Sequence, residues 1–434
     1  MNQTNSFDWI KVDNAGKIYP ASRRRSWTAL FRVSITLNEK IDPQVLKKAQ
    51  ESTFRRFPTM SVRLKAGLFW YYLQHVDDCP EIQPDVQNPC VRMDLRENNG
   101  FMIRVRYFDK TIAVEIFHVL ADGTAGMSFL LTLAAEYIRI KYGEVIPRDR
   151  TILDCTEPAK RNEIEDAFLR YARKQYLTRK EPNSYHIDGK QERADVIHTV
   201  TGILSVAQVK EKAKQTGVTI TEYLAAVLTK ACINIQLREN HGRLKPVKVG
   251  VPVSLRQFYP DTNTKRNFAS YVNVGVEPRL GDYSIDEIAH IAHAQMIIEN
   301  NEKMMNSKFS TNVKSEKNWL LRPVPLFIKN IAMRAVFESV GDIKTSTTLS
   351  NLGLIKLPHE MDKYTERLDF LVGPLSYNKI VAGAVSFHDT MCINFVRTIK
   401  ESKLEREFFT LLVKQGIHVL IESNNLSESE IERK

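Results

Sequence analysis

One short motif contains a side chain that can act as a base near neutral pH. The sequence runs His118-x-x-x-Asp122-Gly123 and follows the apolar pair Ile116-Phe117. An imidazole titrates at about pH 6.5, so its neutral form can accept a proton from an alcohol, which is too weakly acidic to lose that proton unaided. The resulting oxygen nucleophile can attack a thioester carbonyl. The motif therefore offers His118 as a candidate general base for a reaction of this kind.

A structural explanation competes with this chemistry. Asp122 can hold the loop in shape without touching a substrate, and Gly123 allows a tight turn into a following helix. For any single His–Asp pair, a hydrogen-bonded core histidine beside a helix-capping aspartate is the commoner arrangement. The placement of the motif between an apolar strand and a helix favours the catalytic interpretation.

The motif needs a strand and a helix to position it. Thr111 to Phe117 is predicted to pair with Phe101 to Phe108 in a hairpin that turns at Asp109-Lys110. A helix is predicted to begin near Gly123, because apolar residues recur at helical spacing from Met127 onward. His118 is therefore expected at the junction of the strand and the helix.

Four further elements are predicted in the first half of the chain. Thr28 to Leu37 is rich in β-branched residues and predicts a strand. Asp42 is expected to cap a helix that runs to Arg56. The other two elements are strands, Thr59 to Leu64 and Phe69 to Val76.

The residues between the two halves have a different character. From Arg148 to Asp195 the chain is charged and irregular, and only Glu163 to Tyr176 looks helical, so we interpret this stretch as a long crossover linker. The second half then repeats the mixed pattern of strands and helices. Helices are predicted after the capping residues Ser205, Thr221 and Ser284 and from Lys403 to Ile421, and strands at residues 247–253, 271–276, 346–349, 369–372, 380–387 and 391–396.

These elements together indicate an α/β protein of two halves, residues 1–190 and 191–434, each a mixed β-sheet flanked by helices. A composition of 43% hydrophobic and 26% charged residues supports a sizeable core. The five cysteines are scattered and include no CxxC pair, so neither a zinc cage nor a disulfide framework is indicated, and a reduced, cytoplasmic protein is expected. Neither a signal peptide nor a membrane-spanning helix is expected.

The net charge of +11 favours anionic partners, although a basic solvated surface explains it equally well. The densest basic cluster, Arg23-Arg24-Arg25, has no interleaved aromatic residues, and zinc-finger, RRM and basic-zipper signatures are absent, so nucleic acid is not an expected partner. His290 and His293 have the i, i+3 spacing of two helical ligands. No third ligand of suitable spacing accompanies them, so no metal site is expected.

Several segments resemble the chloramphenicol-acetyltransferase-like superfamily, which includes the condensation domains of peptide synthetases and the alcohol acetyltransferases. The main one is the His118-x-x-x-Asp122-Gly123 motif, and the resemblance extends over nearly the whole chain. It is closest to the bacterial alcohol acetyltransferase-like proteins. The other segments that carry it are Arg56-Phe57-Pro58, Gly67-Leu68-Phe69-Trp70-Tyr71-Tyr72, Val251-Pro252-Val253-Ser254-Leu255-Arg256, Thr264-Lys265-Arg266-Asn267-Phe268 and Ser350-Asn351-Leu352-Gly353.

The resemblance implies roles for three residues of the first motif and its surroundings. His118 would be the general base, lying in an active-site tunnel between the two halves. Asp122 would be structural and paired with an arginine of the second half, for which Arg256 is the candidate. From the residues alone, a solvent-exposed arginine at the end of a strand explains Arg256 equally well.

The resemblance also implies a second active-site segment that ends at Gly353. Ser350 or Asn351 would donate a hydrogen bond to the tetrahedral oxyanion, a role often worth about 3–4 kcal/mol of barrier. Ser, Asn and Gly are also the commonest turn residues. A plain turn is therefore an equally good explanation of these residues.

Departures from the family pattern narrow the expected reaction. Condensation domains usually carry two adjacent histidines, and Phe117 stands where the first would be; the DFGWG segment of the plant enzymes is also absent. We therefore expect an acyl-CoA-dependent O-acyltransferase that moves an acyl group, expected to be acetyl, to the hydroxyl of a small molecule. It would act as a monomer without a bound cofactor, using acyl-CoA as co-substrate.

Two alternatives remain open. One is a condensation-type enzyme that takes its acyl group from a carrier protein or transfers it to an amine. The other is a non-catalytic protein that binds acyl thioesters or a protein partner. Bulky side chains such as Phe117 or Trp319 filling the tunnel would favour the non-catalytic alternative.

Overall fold

The computed structural model describes residues 8–22, 28–177, 181–193, 195–239 and 242–424, so Arg23-Arg24-Arg25 lies outside the described residues. The strands are β1 (Trp9–Lys11), β2 (Leu30–Leu37), β3 (Val62–Ala66), β4 (Tyr71–His75), β5 (Gln83–Pro84), β6 (Ile103–Phe108), β7 (Thr111–Phe117), β8 (His198–Ser205), β9 (Val247–Ser254), β10 (Ala269–Val276), β11 (Thr347–Ile355), β12 (Thr365–Val372), β13 (Ile380–Phe387), β14 (Thr390–Arg397) and β15 (Leu420–Ser423). The α-helices are α1 (Ile18–Ser22), α2 (Pro43–Arg56), α3 (Gly123–Tyr142), α4 (Arg161–Ile164), α5 (Ala167–Tyr171), α6 (Val206–Gln215), α7 (Ile220–Glu239), α8 (Ile285–Glu299), α9 (Glu302–Lys317), α10 (Leu326–Val340), α11 (His359–Asp362) and α12 (Lys403–Lys414).

A five-stranded sheet carries the histidine motif. Its strand order is β12-β2-β7-β6-β5, with antiparallel pairing except between β5 and β6. The predicted hairpin of β6 and β7 is present, with Phe108 opposite Thr111. On the other side of β7, Phe117 lies opposite Leu30 of β2, so the strand ends one residue before His118. Helix α3 begins at Gly123 and packs against β2, β7 and helix α2.

A seven-stranded sheet forms most of the second half. Its order is β10-β9-β11-β13-β14-β8-β15, and β11 runs parallel to both β9 and β13 while the other pairs are antiparallel. Helices α7, α8 and α12 pack together, and α7 and α8 also contact this sheet. A small sheet, β1-β4-β3, belongs to the first half. The expected α/β architecture of mixed sheets flanked by helices is therefore confirmed.

One strand of the second half belongs to the sheet of the first half. β12 pairs with β2, and Phe370 lies opposite Val33. Because β12 precedes β13 in the chain, the polypeptide leaves the seven-stranded sheet after β11 and returns to it at β13. The division at residues 190 and 191 stays a prediction, and the sequence pattern does not anticipate this strand exchange.

Helix α2 shows why the local pattern predicts its ends well. The Asp42 carboxylate accepts hydrogen bonds from the N–H groups of Gln44 (2.8 Å) and Val45 (3.3 Å). Pro43 occupies the first helical position, where a missing N–H costs nothing. Phe54 is buried against the ring of Phe129 on α3, with ring centroids 5.2 Å apart. Capping and an apolar face thus agree, and the helix spans the predicted residues.

The linker helix differs from its prediction. In place of one helix from Glu163 to Tyr176 there are two short ones, α4 and α5. The Asp166 carboxylate accepts a hydrogen bond from the N–H of Phe168 and begins the second helix. A capping aspartate inside an apparently helical stretch therefore separates it into two pieces.

Two helix ends in the second half also differ. Thr219, not Thr221, caps α7: the N–H of Thr219 donates to Glu222 (2.8 Å), and the N–H of Glu222 donates to the Thr219 hydroxyl (3.3 Å). Helix α12 ends at Lys414, because Gly416 adopts a left-handed φ of 82° and the chain continues into β15.

Among the described residues, no single helix is both long enough and apolar enough to cross a membrane. One consecutive pair, Val206–Gln215 and Ile220–Glu239, reaches that length and composition only when taken together, and it is bent by 82°. The histidine pair on α8 makes protein contacts: His290 Nε2 lies 2.9 Å from the carbonyl of Thr216, and His293 Nδ1 lies 3.1 Å from a carboxylate oxygen of Glu222. In the described part of the chain no three His, Cys, Asp or Glu side chains are placed to hold a metal ion.

Candidate active site

His118 follows directly after the end of β7 and is held there through its backbone. Its N–H donates to the carbonyl of Ala29 at 2.8 Å, which extends the β2–β7 pairing by one step. Ala29 itself has a left-handed φ of 52°. For a residue with a side chain this conformation stores strain, and such strain is often found at functional sites.

Two aromatic rings enclose the imidazole of His118. The Tyr19 ring stacks on it with a centroid separation of 4.8 Å and an angle of 18° between planes, and the Phe31 ring meets it edge-on at 5.2 Å. This burial lowers the pKa of His118 below its ordinary value, and the negative charge of Asp122 opposes the shift only in part. The imidazole is therefore neutral at neutral pH, which is the form required of a base.

The side-chain amide of Asn267 determines which imidazole nitrogen carries the proton. The Asn267 Nδ2 group donates to the carbonyl of His118 (3.0 Å) and to the carboxylate of Asp13 (3.1 Å). The Asn267 Oδ1 atom therefore faces the Nδ1 atom of His118, at 3.1 Å, as an acceptor. A proton on Nδ1 leaves a lone pair on Nε2, which makes no hydrogen bond to the described residues.

The partner of Asn267 is a deeply buried carboxylate from the beginning of the chain. Asp13 accepts hydrogen bonds from the N–H of Gly16 (2.6 Å) and from Asn267, and the Nε atom of Arg266 lies 3.6 Å away. Burial raises the pKa of Asp13, and the positive charge of Arg266 opposes that shift. The segment from β1 to α1 thus supplies both Asp13 and Tyr19 to the surroundings of His118.

Asp122 combines the two roles that the sequence suggests for it. One carboxylate oxygen caps α3 by accepting from the N–H of Ala125 (3.0 Å). The other accepts from the Nη1 atom of Arg256 (2.8 Å) and from the N–H of Phe268 (2.7 Å). Burial alone would raise the pKa of Asp122, but the charge of Arg256 and these hydrogen bonds outweigh it and lower the pKa below its ordinary value. The carboxylate is charged and faces Arg256 rather than the imidazole.

Arg256 joins this carboxylate to the segment that contains Asn267. Its Nη2 atom donates to the carbonyls of Thr264 (2.9 Å) and Arg266 (2.7 Å). The arginine is mostly buried rather than exposed at a strand end. Asp122 and Arg256 together clamp residues 264–268 against the turn between β7 and α3, so the pair positions Asn267 beside His118.

The Ser350–Gly353 segment forms part of β11 rather than a turn. The strand carries a bulge, because its register against β13 shifts between Asn351 and Leu354. Gly353 has a left-handed φ of 76°, and its N–H donates to the side chain of Asn351 at 2.9 Å. The amide of Asn351 donates to the hydroxyl of Thr221 at 3.0 Å. The plain-turn explanation is therefore wrong, and the polar atoms of Asn351 are already engaged in shaping the bulge.

Leu352 brings this bulge against the histidine motif. A Cβ atom on Gly123 would lie 3.1 Å from the Cδ2 atom of Leu352 and 3.2 Å from the ring of Phe370. Only glycine leaves room for this approach without displacing a neighbour. The two sequence segments thus meet at Gly123, while the hydroxyl of Ser350 makes no hydrogen bond to the described residues.

The two bulky side chains that would favour the non-catalytic alternative differ in their surroundings. Phe117 is buried in the core of the first half, and Trp319 is 74% exposed to solvent. His118 itself is half-buried. A surface cavity of about 1050 Å³ lies near α2 and is lined by residues such as Lys47, Glu51 and Asp78, none of which belongs to the motif.

Comparison with known proteins places this geometry in a fold. No protein-family model and no curated protein matches the chain. Solved structures do match: polyketide synthase associated protein 5 from Mycobacterium tuberculosis is 15% identical over 93% of this chain and 96% of that chain, with a TM-score of 0.59. Trichothecene 15-O-acetyltransferase from Fusarium sporotrichioides is 12% identical over 93% and 94%, with a TM-score of 0.60. The chain has the condensation-domain and chloramphenicol-acetyltransferase-like fold.

A third neighbour with this condensation-type fold is the starter condensation domain of rhizomide synthetase in complex with C8-CoA and Leu-SNAC. It is 12% identical over 94% of each chain, with a TM-score of 0.58. Identities this low establish the fold and leave the reaction of this protein open. The resemblance inferred from the sequence is therefore confirmed at the level of the condensation-type fold.

Sequence reasoning missed three residues of this candidate site. Asn267 lies in a segment that carries the family resemblance, but nothing in its residue type indicates contact with His118. Asp13 and Tyr19 lie near the N-terminus, where no motif draws attention to them. A buried carboxylate and a stacked ring become visible only when distant segments are folded together.

Proposed function

We propose that the protein transfers an acyl group, expected to be acetyl, from acyl-CoA to the hydroxyl of a small molecule, with His118 as the general base. The observation that carries this proposal is the neutral imidazole whose Nδ1 atom is engaged by Asn267. Its Nε2 lone pair is then available to a substrate hydroxyl.

The transfer proceeds in two proton movements. Nε2 of His118 takes the hydroxyl proton as the alcohol oxygen attacks the thioester carbonyl, which forms a C–O bond and a tetrahedral oxyanion. The oxyanion then collapses, the C–S bond breaks, and the imidazolium returns its proton to the departing thiolate sulfur. The histidine ends neutral, so the cycle requires neither a covalent enzyme intermediate nor a bound cofactor.

Two further parts of the site support this sequence of steps. The hydroxyl of Ser350 has no hydrogen-bond partner among the described residues, and it stands beside the bulge that meets Gly123, so it is the preferred donor to the oxyanion. The charged Asp122 lies close enough to affect the pKa of His118 and stabilises the imidazolium formed during transfer. The net charge of +11 suits the phosphates of CoA.

A carrier-protein donor or an amine acceptor is the second candidate. It is favoured by the fold neighbours that are condensation domains, among them the first condensation domain of the calcium-dependent antibiotic synthetase. The same base chemistry serves an amine acceptor. The donor and the acceptor, rather than the histidine, distinguish the two functions.

The test is a thiol-release assay with purified protein, acetyl-CoA and a panel of alcohols and amines. His118→Ala is expected to lower alcohol-dependent release by about 10²–10⁴-fold, the usual contribution of a general base. His290→Ala is the matched control, because His290 is exposed and bonds only to a backbone carbonyl among the described residues. Release that requires an amine or a phosphopantetheinyl carrier supports the second candidate. If neither the wild type nor His118→Ala releases thiol with any donor, catalysis by His118 is rejected.

A further inference from the structure

Helix α10 exposes an apolar face that a water-soluble helix normally buries. Of the residues Leu326–Val340 whose side chains are described, only Leu326 is buried. The exposed apolar residues recur at i, i+4 and i+8, which places them on one side of the helix. This set, named here the α10 face, is Phe327, Ile328, Ile331, Ala332, Ala335 and Val336.

Two other apolar segments extend the α10 face. Leu68, at the tip of the β3–β4 hairpin, accepts a hydrogen bond at its carbonyl from the N–H of Leu326 (2.8 Å). The ammonium of Lys329 lies 3.4 Å from the centre of the Trp70 ring and donates to the carbonyl of Arg322 at 3.1 Å. These contacts hold the hairpin tip and the turn before α10 beside the helix. The segments contribute Leu68, Phe69, Trp70, Trp319, Leu320 and Leu321, all exposed.

The side chains of this combined surface project rather than line a groove. Trp319, Leu68, Ile331 and Phe327 are 74%, 72%, 68% and 66% exposed. A groove that receives a peptide or a helix would shield its apolar side chains on more sides. Projecting aromatic and aliphatic residues instead suit insertion into a soft apolar phase at its boundary with water.

The charge around the surface is positive. Between residue 314 and the end of α10 at residue 340, the basic residues are Lys314, Lys317, Arg322, Lys329 and Arg334, and the acidic residues are Glu316 and Glu338. Glu316 is already paired with Lys17. Basic side chains that flank an apolar helix face are attracted to an anionic lipid surface. The charge therefore complements an anionic partner with an apolar interior.

We propose that the α10 face, together with the hairpin tip and the Trp319 turn, docks the protein onto the surface of an anionic lipid bilayer. Trp319, Phe327 and Ile331 insert at the level of the headgroups, and Lys317 and Arg322 contact lipid phosphates. The helix lies in the plane of the interface and does not cross it.

The position of this surface relates it to the candidate active site. Helix α10 packs against α1, and the guanidinium of Arg334 donates to the carbonyl of Ala21 at 3.4 Å. Tyr19 on α1 stacks on His118. If the proposed function holds, the acceptor alcohol is drawn from the lipid phase, one short helix away from the base. Docking itself requires no transfer activity.

The test is sedimentation of the full chain with vesicles of phosphatidylcholine alone, or of phosphatidylcholine mixed with an equal amount of phosphatidylglycerol. We expect binding to the mixed vesicles that weakens at high salt. The double variant Phe327→Gln with Ile331→Gln is expected to bind at least about tenfold more weakly, because both inserting side chains are lost. Ile297→Gln, on the exposed side of α8, is the matched control and is expected to bind like the wild type. Thermal melting of each variant checks that it is folded.

Three outcomes would overturn the proposal. Equal sedimentation without lipid or with neutral vesicles alone would show that anionic lipid is not the partner. A dimer in solution that the double variant converts to a monomer would make the face a contact between two copies of this chain. Binding to an acidic carrier protein that exceeds vesicle binding and depends on Phe327 would assign the face to a protein. None of these results depends on whether thiol release is observed, so this proposal and the proposed function fail separately.

Discussion

Two buried clusters of charge lie on either side of His118 in the chain, one around Glu115 and the other around Asp122. Both contain a fully or nearly fully buried carboxylate that faces arginine side chains. In both, burial alone would raise the pKa of the carboxyl, and the arginine charges outweigh it and lower that pKa. Charge and burial therefore do not distinguish them.

The surroundings of the two carboxylates do distinguish them. Glu115 bonds to Arg104, lies 3.4 Å from Arg106 and 3.8 Å from Arg32, and accepts the N–H of Cys90 at 2.7 Å. Every partner there is a fixed cation or a backbone group. The cluster therefore holds strands β2, β6 and β7 together and positions no side chain that could act as a base. Asp122 instead fixes residues 264–268, and Asn267 of that segment contacts the titratable imidazole of His118. A buried ion pair marks a candidate site only when it positions a group with an unused reactive atom.

Replacing Glu115 with Gln tests the structural member of this comparison and has the largest expected effect. Loss of the negative charge leaves the buried Arg104 and Arg106 without the carboxylate that they face, while Arg32 keeps its ion pair with Asp85. We expect the free energy of unfolding to fall by about 3–5 kcal/mol. Denaturant unfolding measures this change. The transfer rate per folded molecule is expected to stay near that of the wild type, and a rate loss as large as that of His118→Ala would erase the distinction between the two clusters.

Replacing Asp122 with Asn tests the other member and is expected to affect both stability and rate. The asparagine still caps α3 but no longer neutralises Arg256, so the free energy of unfolding is expected to fall by about 3 kcal/mol. The rate per folded molecule is also expected to fall, because residues 264–268 lose their clamp and Asn267 shifts relative to His118. Parallel unfolding and single-turnover measurements separate the two effects. A stability loss with an unchanged rate would reduce Asp122 to the role of Glu115.

Replacing Asn267 with Ala sharpens the comparison, since this residue links the charge cluster to the base. Without the acceptor at Nδ1 the imidazole can rotate or carry its proton on Nε2, and kcat is expected to fall by up to about 10²-fold with KM little changed. Asn267→Asp is the informative companion. A carboxyl group there shares a proton with the neighbouring Asp13, and the negative charge that remains beside the ring favours the imidazolium and is expected to move the acidic limb of the pH–rate profile to higher pH. Profiles that coincide with the wild type would exclude a positioning role for Asn267.

The smallest expected effect concerns Tyr19, whose ring helps to exclude water from the imidazole. Because burial lowers the pKa of His118, the base stays neutral to a lower pH than an exposed histidine would, and the acidic limb of the kcat/KM profile is expected to be displaced to lower pH accordingly. Tyr19→Ala admits water and is expected to raise that acidic limb by less than about one pH unit. Tyr72→Ala, an exposed tyrosine on the hairpin, serves as the control. A shift to lower pH would contradict the assignment of burial as the cause.

The sequence predicts those parts of the molecule that depend on nearby residues. The bounds of α2 follow from Asp42 and an apolar face, and the junction of β7 and α3 follows from the apolar strand before His118 and the helical spacing after Gly123. The family resemblance directs attention to Arg256, which lies 2.8 Å from Asp122. Each of these signals depends on residues close together in the sequence, or on one short sequence motif.

The remaining parts depend on pairings between distant segments. No local pattern indicates that Asp13 reaches Asn267, since each residue is an ordinary polar residue in its own segment. The bulge at Ser350–Gly353 arises from the register between β11 and β13 and from a hydrogen bond to Thr221, so its composition alone suggests a turn. Burial of Tyr19 over His118 likewise requires the packing of α1. Tertiary contacts, which a linear pattern does not contain, determine these features.

The strand exchange at β12 has a consequence for the order in which the chain can fold. Arg367 pairs with Thr36, so the sheet that presents His118 is closed by a strand made long after the other four. Until that strand emerges from the ribosome, β2 offers an unpaired edge that can capture another chain. Closing so long a loop is slow, because its entropy must be lost before the pairing is gained. The sheet behind the histidine site is therefore completed only after Val372 has been synthesised, and a truncated chain that stops before Thr365 is expected to aggregate rather than to fold.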